Sequence, residues 1–171
     1  EKRCSLHLPP AAVSTLQMTC AGKVATASVA PGAFLAAPEA LPDGGARHWA
    51  AVIEAVHARV PECSVEVLTP DFRGVPDALD VVLGARPEIF SHNTETVPRL
   101  YRQARPGSRY DRTLALLAEA ARRRAAGEFS GRVKTSIMVG LGESLDEVRA
   151  TMHDIRAAGV DVLSIGMSVG F

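Results

Sequence analysis

Val133-Lys134-Thr135-Ser136-Ile137-Met138-Val139-Gly140-Leu141-Gly142-Glu143-Ser144-Leu145-Asp146-Glu147 is the stretch on which the fold turns. Its first seven residues are mostly β-branched or apolar and read as a strand. Two glycines then break the run. Ser144, followed three residues later by Glu147, has the form of a capping box and opens a helix to Ala158. Gly159 ends that helix, and Val160–Ile165 is the next strand. Strand, glycine turn, helix and strand together make one βαβ unit.

The same pattern extends upstream. Asp111–Ala126 carries Leu114, Leu117 and Ala121 on one face. Its Arg122–Arg124 lie near the C-terminal end, where cations suit the helix dipole. Val65–Leu68 and Ile89–His92 read as short strands. Pro76 and Asp77 open a helix over Ala78–Leu83 that Gly84 closes. Ala46–Val60 sets Trp49, Val52, Ile53, Val56 and Val60 at helical spacing, with Pro61 just beyond. A further short helix is expected over Thr94–Gln103. Such alternation implies right-handed crossovers and a parallel sheet. The runs VEVL, IFSH and SIMV are nearly continuously apolar, as a sheet buried on both faces requires. Ligands of such sheets sit at the strand C-termini. The units are too few for a closed eightfold barrel, so a partial barrel or an open α/β sheet is expected.

Composition narrows the function. The chain has 171 residues, and its nineteen basic side chains balance nineteen acidic ones. No basic field is present, so neither nucleic acid nor a membrane surface is an expected partner. No apolar run reaches the ~20 residues of a membrane span. Pro9, Pro10 and Lys23 interrupt the start of the chain, so no export signal is expected. The three cysteines, Cys4, Cys20 and Cys63, lack the spacing of a disulfide framework, a zinc site or a cluster loop. They read as structural thiols of a reducing compartment, and no metal ligand is assigned. Residues 1–40 hold five of the chain's charged side chains and one aromatic, Phe34. That stretch reads as a divergent, poorly structured segment, with a strand over Val24–Val29, and residues 41–171 as the domain proper.

Polar side chains cluster at the expected strand ends. Asn93 and Glu95, in Ser91–Thr96, suit a small ligand's amine, carboxylate or ribose, and Arg99 and Arg105 suit a carboxylate. The same segment also reads as a helix N-terminus, with Asn93 or Thr94 as the cap and Glu95 favoured by the dipole. Gly140–Glu143 either lets a ligand approach the backbone at a helix N-terminus or is simply a tight turn. Asp71 and Arg73 are a site or a local ion pair.

The polar stretches follow a familiar order. Leu41-Pro42-Asp43-Gly44-Gly45-Ala46, Val65 through Gly74, Ser91 through Tyr101 with Arg105-Pro106-Gly107 and Tyr110, and Lys134 through Glu143 resemble the lipoyl synthase family. The resemblance covers about residues 41–166. It implies a radical S-adenosylmethionine enzyme with a partial (β/α) barrel. By this resemblance the reaction inserts two sulfur atoms into an octanoyl-lysine of a lipoyl carrier domain. Two [4Fe–4S] clusters are implied: one cleaves S-adenosylmethionine to a carbon radical, and the other is consumed as the sulfur source. Asn93, Glu95 and Arg99 then fall in the block lining the cofactor and substrate cavity. Ser136, Met138, Gly140 and Glu143 align with the adenine-side motif of such enzymes, with Ser136 and Met138 replacing two of its members.

The chain departs from the family at both ends. Two cysteine triplets are expected upstream of Asp43-Gly44-Gly45, and only Cys4 and Cys20 occur there. Beyond Gly166 the serine-rich tail is replaced by Met167–Phe171. The expectation is a lipoyl synthase-like domain truncated at both ends and impaired in catalysis, in a bacterial cytoplasm rather than an organelle matrix. The alternative is a non-catalytic module binding S-adenosylmethionine or a lipoyl carrier domain, or an inactive gene fragment.

Overall fold

The structure is a computed structural model and describes residues 16–20, 23–27 and 41–167. Six strands form one sheet: β1 (Leu16–Cys20), β2 (Lys23–Ala27), β3 (Cys63–Leu68), β4 (Ile89–Ser91), β5 (Arg132–Val139) and β6 (Val162–Met167). Their order is β2-β1-β3-β4-β5-β6. β3 through β6 run parallel, and β1 pairs antiparallel with both β2 and β3. Among the described residues five α-helices accompany them: α1 (Ala46–Arg59), α2 (Ala78–Gly84), α3 (Tyr101–Ala104), α4 (Tyr110–Ala125) and α5 (Leu145–Ala157). Four parallel strands with helices on one side fit the partial (β/α) barrel that the resemblance implies, one of the two forms that alternation allows.

Local chemistry sets the element ends. The Asp43 carboxylate accepts from the Gly45 and Arg47 amides at the start of α1. Gly44 has φ +62, and a Cβ there would meet Phe72 at 3.1 Å, so the turn requires glycine twice over. The capping box at α5 is complete: Ser144 Oγ accepts from the Glu147 amide, and Glu147 accepts from the Ser144 amide. The expected helix over Thr94–Gln103 does not form as one piece. Helical backbone begins only with a 3-10 turn at Pro98–Leu100 and continues into α3. Thr94 and Glu95 instead bond to β5, where Glu95 makes an isolated bridge with Ile137. Asn93 and Thr94 are therefore not helix caps.

The sheet is buried on one face. Val65, Val67, Phe90 and Val133 pack with Trp49, Ile53, Val56, Val82 and Leu117 of the helices, all at most 2% exposed. The other face carries Glu66, Leu68, Ser91, Lys134, Ser136 and Ser164. The expectation of a sheet buried on both faces is corrected here. β3 and β5 alternate between buried and half-buried residues because one side meets helices and the other lines a cavity.

Candidate functional site

The cavity lies on the face of the sheet away from the helices, with a volume of about 210 Å³. Alternate residues of β3 and β5, Ser164 of β6, and Ser91 and Asn93 on and just after β4 supply its lining. Its charged feature is an ion pair across β4. Lys134 Nζ donates to both oxygens of Glu66, at 2.7 and 3.0 Å, and each side chain is about one-fifth exposed. Sequence reasoning missed this pair, because 68 residues separate its members. The available signal was a lysine and a glutamate inside otherwise apolar strands, where a charge needs a partner.

The cavity rim follows from β4. Glu95 N–H donates to Ser136 O at 3.0 Å, and Met138 N–H donates to Glu95 O at 2.7 Å. Glu95 holds φ +69, a left-handed backbone that few non-glycine residues adopt. The Asn93 amide and the Glu95 carboxylate, both half-buried, make no hydrogen bond or ion pair among the described residues. The Ser136 hydroxyl is free in the same sense and lines the cavity beside Asn93.

Arg99 and Glu143 are committed elsewhere. Arg99 makes a bidentate pair with Glu147, at 2.7 and 3.0 Å, and donates to Gly142 O at 2.8 Å. Glu143 accepts from the Gly140 and Leu141 amides. The Gly140 amide foremost holds its carboxyl below the usual range. These contacts close the 140–143 turn on itself, with Gly140 at φ +97. The structure thus brings Asn93, Glu95, Ser136 and the Met138 backbone together, and leaves Arg99 and Glu143 as braces of the neighbouring loop. Met138 turns an exposed side chain to the cavity face.

Asp71 pairs with Arg112 at 2.6 Å rather than with the Arg73 side chain, and its other oxygen caps the Arg73 amide. Burial pushes its carboxyl up, but the Arg73 amide and Arg112 outweigh that and hold it low. Arg105 does not face a ligand carboxylate: it donates to Asn93 O and Tyr101 Oη.

The cysteines bear on metal binding. Cys63 is buried, as its structural reading expects, but it is disulfide-bonded, which corrects its reading as a thiol. It starts β3, at the end of the strand away from the cavity rim, with Cys20 opposite in the β1–β3 register. Cys4 lies outside the described residues. Among the described residues no three cysteine, histidine or carboxylate side chains converge to hold a metal ion. Those residues do not fit an iron–sulfur cluster, which needs free thiolates. Asn93, Glu95 and Ser136 do fit a polar organic ligand such as S-adenosylmethionine, offering uncommitted donors and acceptors at one opening.

A parallel α/β sheet with unpaired polar groups gathered at its strand ends defines a barrel-type binding fold. The chain belongs to the radical SAM superfamily, whose model matches residues 35–155. Within it the sequence is lipoyl synthase-like. It is 52% identical over 128 residues to the lipoyl synthase of Rubrobacter xylanophilus, covering 74% of this chain and 38% of that protein. Against the lipoyl synthase of Methylococcus capsulatus it is 51% identical over 128 residues, with the same coverage. Against that of Acidothermus cellulolyticus it is 46% identical over 125 residues, 73% of this chain and 37% of the relative. The chain thus spans little more than a third of the length of these relatives. No helix among the described residues is long and apolar enough to cross a membrane.

Proposed function

We propose that residues 41–171 form the cofactor-side wall of a lipoyl synthase, with residues 1–40 a divergent segment. The reaction served is insertion of two sulfur atoms into an octanoyl-lysine of a lipoyl carrier domain, in a bacterial cytoplasm. The observation that carries this reading is the pair of uncommitted polar groups Asn93 and Ser136 lining one cavity, with Glu95 bonded through its backbone to Ser136 beside them. Asn93 and Glu95 bind the polar groups of S-adenosylmethionine, and the Ser136 hydroxyl and the Met138 backbone face its adenine side. Gly140 keeps side-chain bulk away from that edge. Arg99 and Glu143 support the site by bracing the 140–143 turn. When bound and reductively cleaved, the cofactor supplies a carbon radical. Since the described residues fit no cluster, no step is derived through one.

A second reading is a module that binds S-adenosylmethionine or a carrier domain without catalysis, and the engagement of Cys63 in a disulfide favours it. Calorimetric titration of the chain with S-adenosylmethionine tests the binding common to both. Binding by the parent chain, lost on Asn93→Ala with the melting temperature unchanged, is the expected result. No heat of binding by the parent chain overturns the cofactor assignment. Iron and sulfide content after anaerobic reconstitution separates the two readings, since only the enzyme must take up iron.

A further inference from the structure

Beneath the rim lies a closed circuit of polar groups that no binding role uses. His92 is 0% exposed. Its Nδ1 lies 2.8 Å from Thr69 O, and its Nε2 lies 3.3 Å from Thr113 Oγ1. Thr113 Oγ1 is 2.8 Å from Tyr101 Oη. Arg105 donates both to Tyr101 Oη and to Asn93 O. The circuit therefore leaves the chain at the His92 side chain and returns at the very next carbonyl.

Donor and acceptor chemistry fixes its direction. A carbonyl only accepts, so Nδ1 of His92 carries the hydrogen toward Thr69. Nε2 of the neutral ring then accepts, and Thr113 must donate to it. Thr113 in turn accepts from Tyr101, and Tyr101 accepts from Arg105. Thr135, also fully buried, pins the same turn from β5. Its one hydrogen goes to His92 O at 2.8 Å, and it accepts from the Thr94 amide and the Thr94 hydroxyl. Every hydroxyl in the circuit is saturated in one sense only.

We propose that His92 and Thr113 are positioning residues that hold Asn93 and Glu95 at the cavity rim. They act from below, through Tyr101 and Arg105 on one side and Thr69 on the other. Neither touches the cavity. The left-handed backbone of Glu95 needs such support, because strain of this kind persists only where its surroundings over-determine it. That the presented groups meet S-adenosylmethionine rests on the function proposed above.

The test is amide hydrogen exchange on the full chain carrying Thr113→Val, which keeps the shape and removes the hydroxyl. The expected result is exchange about tenfold faster at Thr94, Glu95 and Thr96, the factor one ordinary hydrogen bond represents. Exchange at Val65 and Phe90 stays as in the parent, and Thr113→Ser restores protection. Equal acceleration throughout the sheet, or none at the rim, overturns the proposal. Should Thr113→Val fail to fold, Tyr101→Phe removes the neighbouring link and carries the same expectation. Titration of the same proteins with S-adenosylmethionine keeps the two readings apart. Weakened binding by the variant supports both. Selective loss of rim protection in a chain that never binds the cofactor overturns the assigned ligand and upholds the positioning circuit.

Discussion

Two loops leave neighbouring parallel strands toward the same cavity, and they are held in opposite ways. The loop after β4, residues 92–96, is anchored from within, by His92, Thr94 and Thr135, none of them measurably exposed. The loop after β5, residues 140–143, is anchored from outside, by Glu143 on its own amides and by Arg99 reaching across to Glu147. Buried hydrogen bonds lose no strength to salt and are costly to leave unmade. Exposed carboxylate contacts are weaker and screened. The first loop is thus held by bonds that salt does not reach, and the second by contacts that are easier to break.

Removing the inner anchor gives the largest effect. Thr135→Val strips one hydroxyl that serves three partners: the His92 carbonyl and the Thr94 hydroxyl lose it outright, and the Thr94 amide keeps only Ser136 O. A loss of about 3 kcal/mol is expected, read from the urea midpoint at unchanged slope. A loss below a quarter of that would mean that water or backbone takes the place of the hydroxyl.

Acid attacks the same anchor by another route. Burial, first of all, pushes His92 down to about 4 from its ordinary 6.5. Between these values the unfolded chain binds a proton that the folded chain refuses. Stability contributed by the neutral ring is therefore full above pH 6.5 and falls as pH drops toward 4. The total is about 3 kcal/mol. Urea titrations at pH 7 and pH 4.5, compared with those of His92→Gln, measure the term. A parent that loses no more than the variant would put the proton change elsewhere.

The outer anchor gives the smallest effects. Ser144→Ala removes the cap of α5 and costs about 1 kcal/mol. Glu147→Gln weakens the link to Arg99 by less, and only at low salt. Raising the ionic strength to about 1 M, where the screening length is ~3 Å, should bring Glu147→Gln and the parent together in melting temperature. The Thr135→Val deficit should persist at that salt. A salt-insensitive Glu147→Gln would erase the distinction between the two loops.

The sequence exposes these regions unequally. β2 through β6 and α1, α4 and α5 are legible because their signals are local: apolar spacing, Ser144 with Glu147, and glycines at turns; β1, whose stretch has no clear period, is not. The β4 loop is not, because what decides it lies 41 to 43 residues away, in Thr135 bonding Thr94 and His92. The same distance hides the pairing of Glu95 with β5, so Thr94–Gln103 reads as one helix. Candidate residues Asn93 and Glu95 are visible as polar groups at a strand end, whereas Ser136, in the middle of β5, is singled out only by the family resemblance. That Arg99 and Glu143 are already engaged depends on side-chain geometry, which spacing does not encode.

Glu95 stands at a backbone setting where glycine would be at ease. Selection for durability alone would put glycine there, since the exchange relieves strain. On the function proposed above, a carboxylate at that position trades robustness for a chemical group. Lineages drifting free of the need for that group should lose it early, and they should grow sturdier as they do.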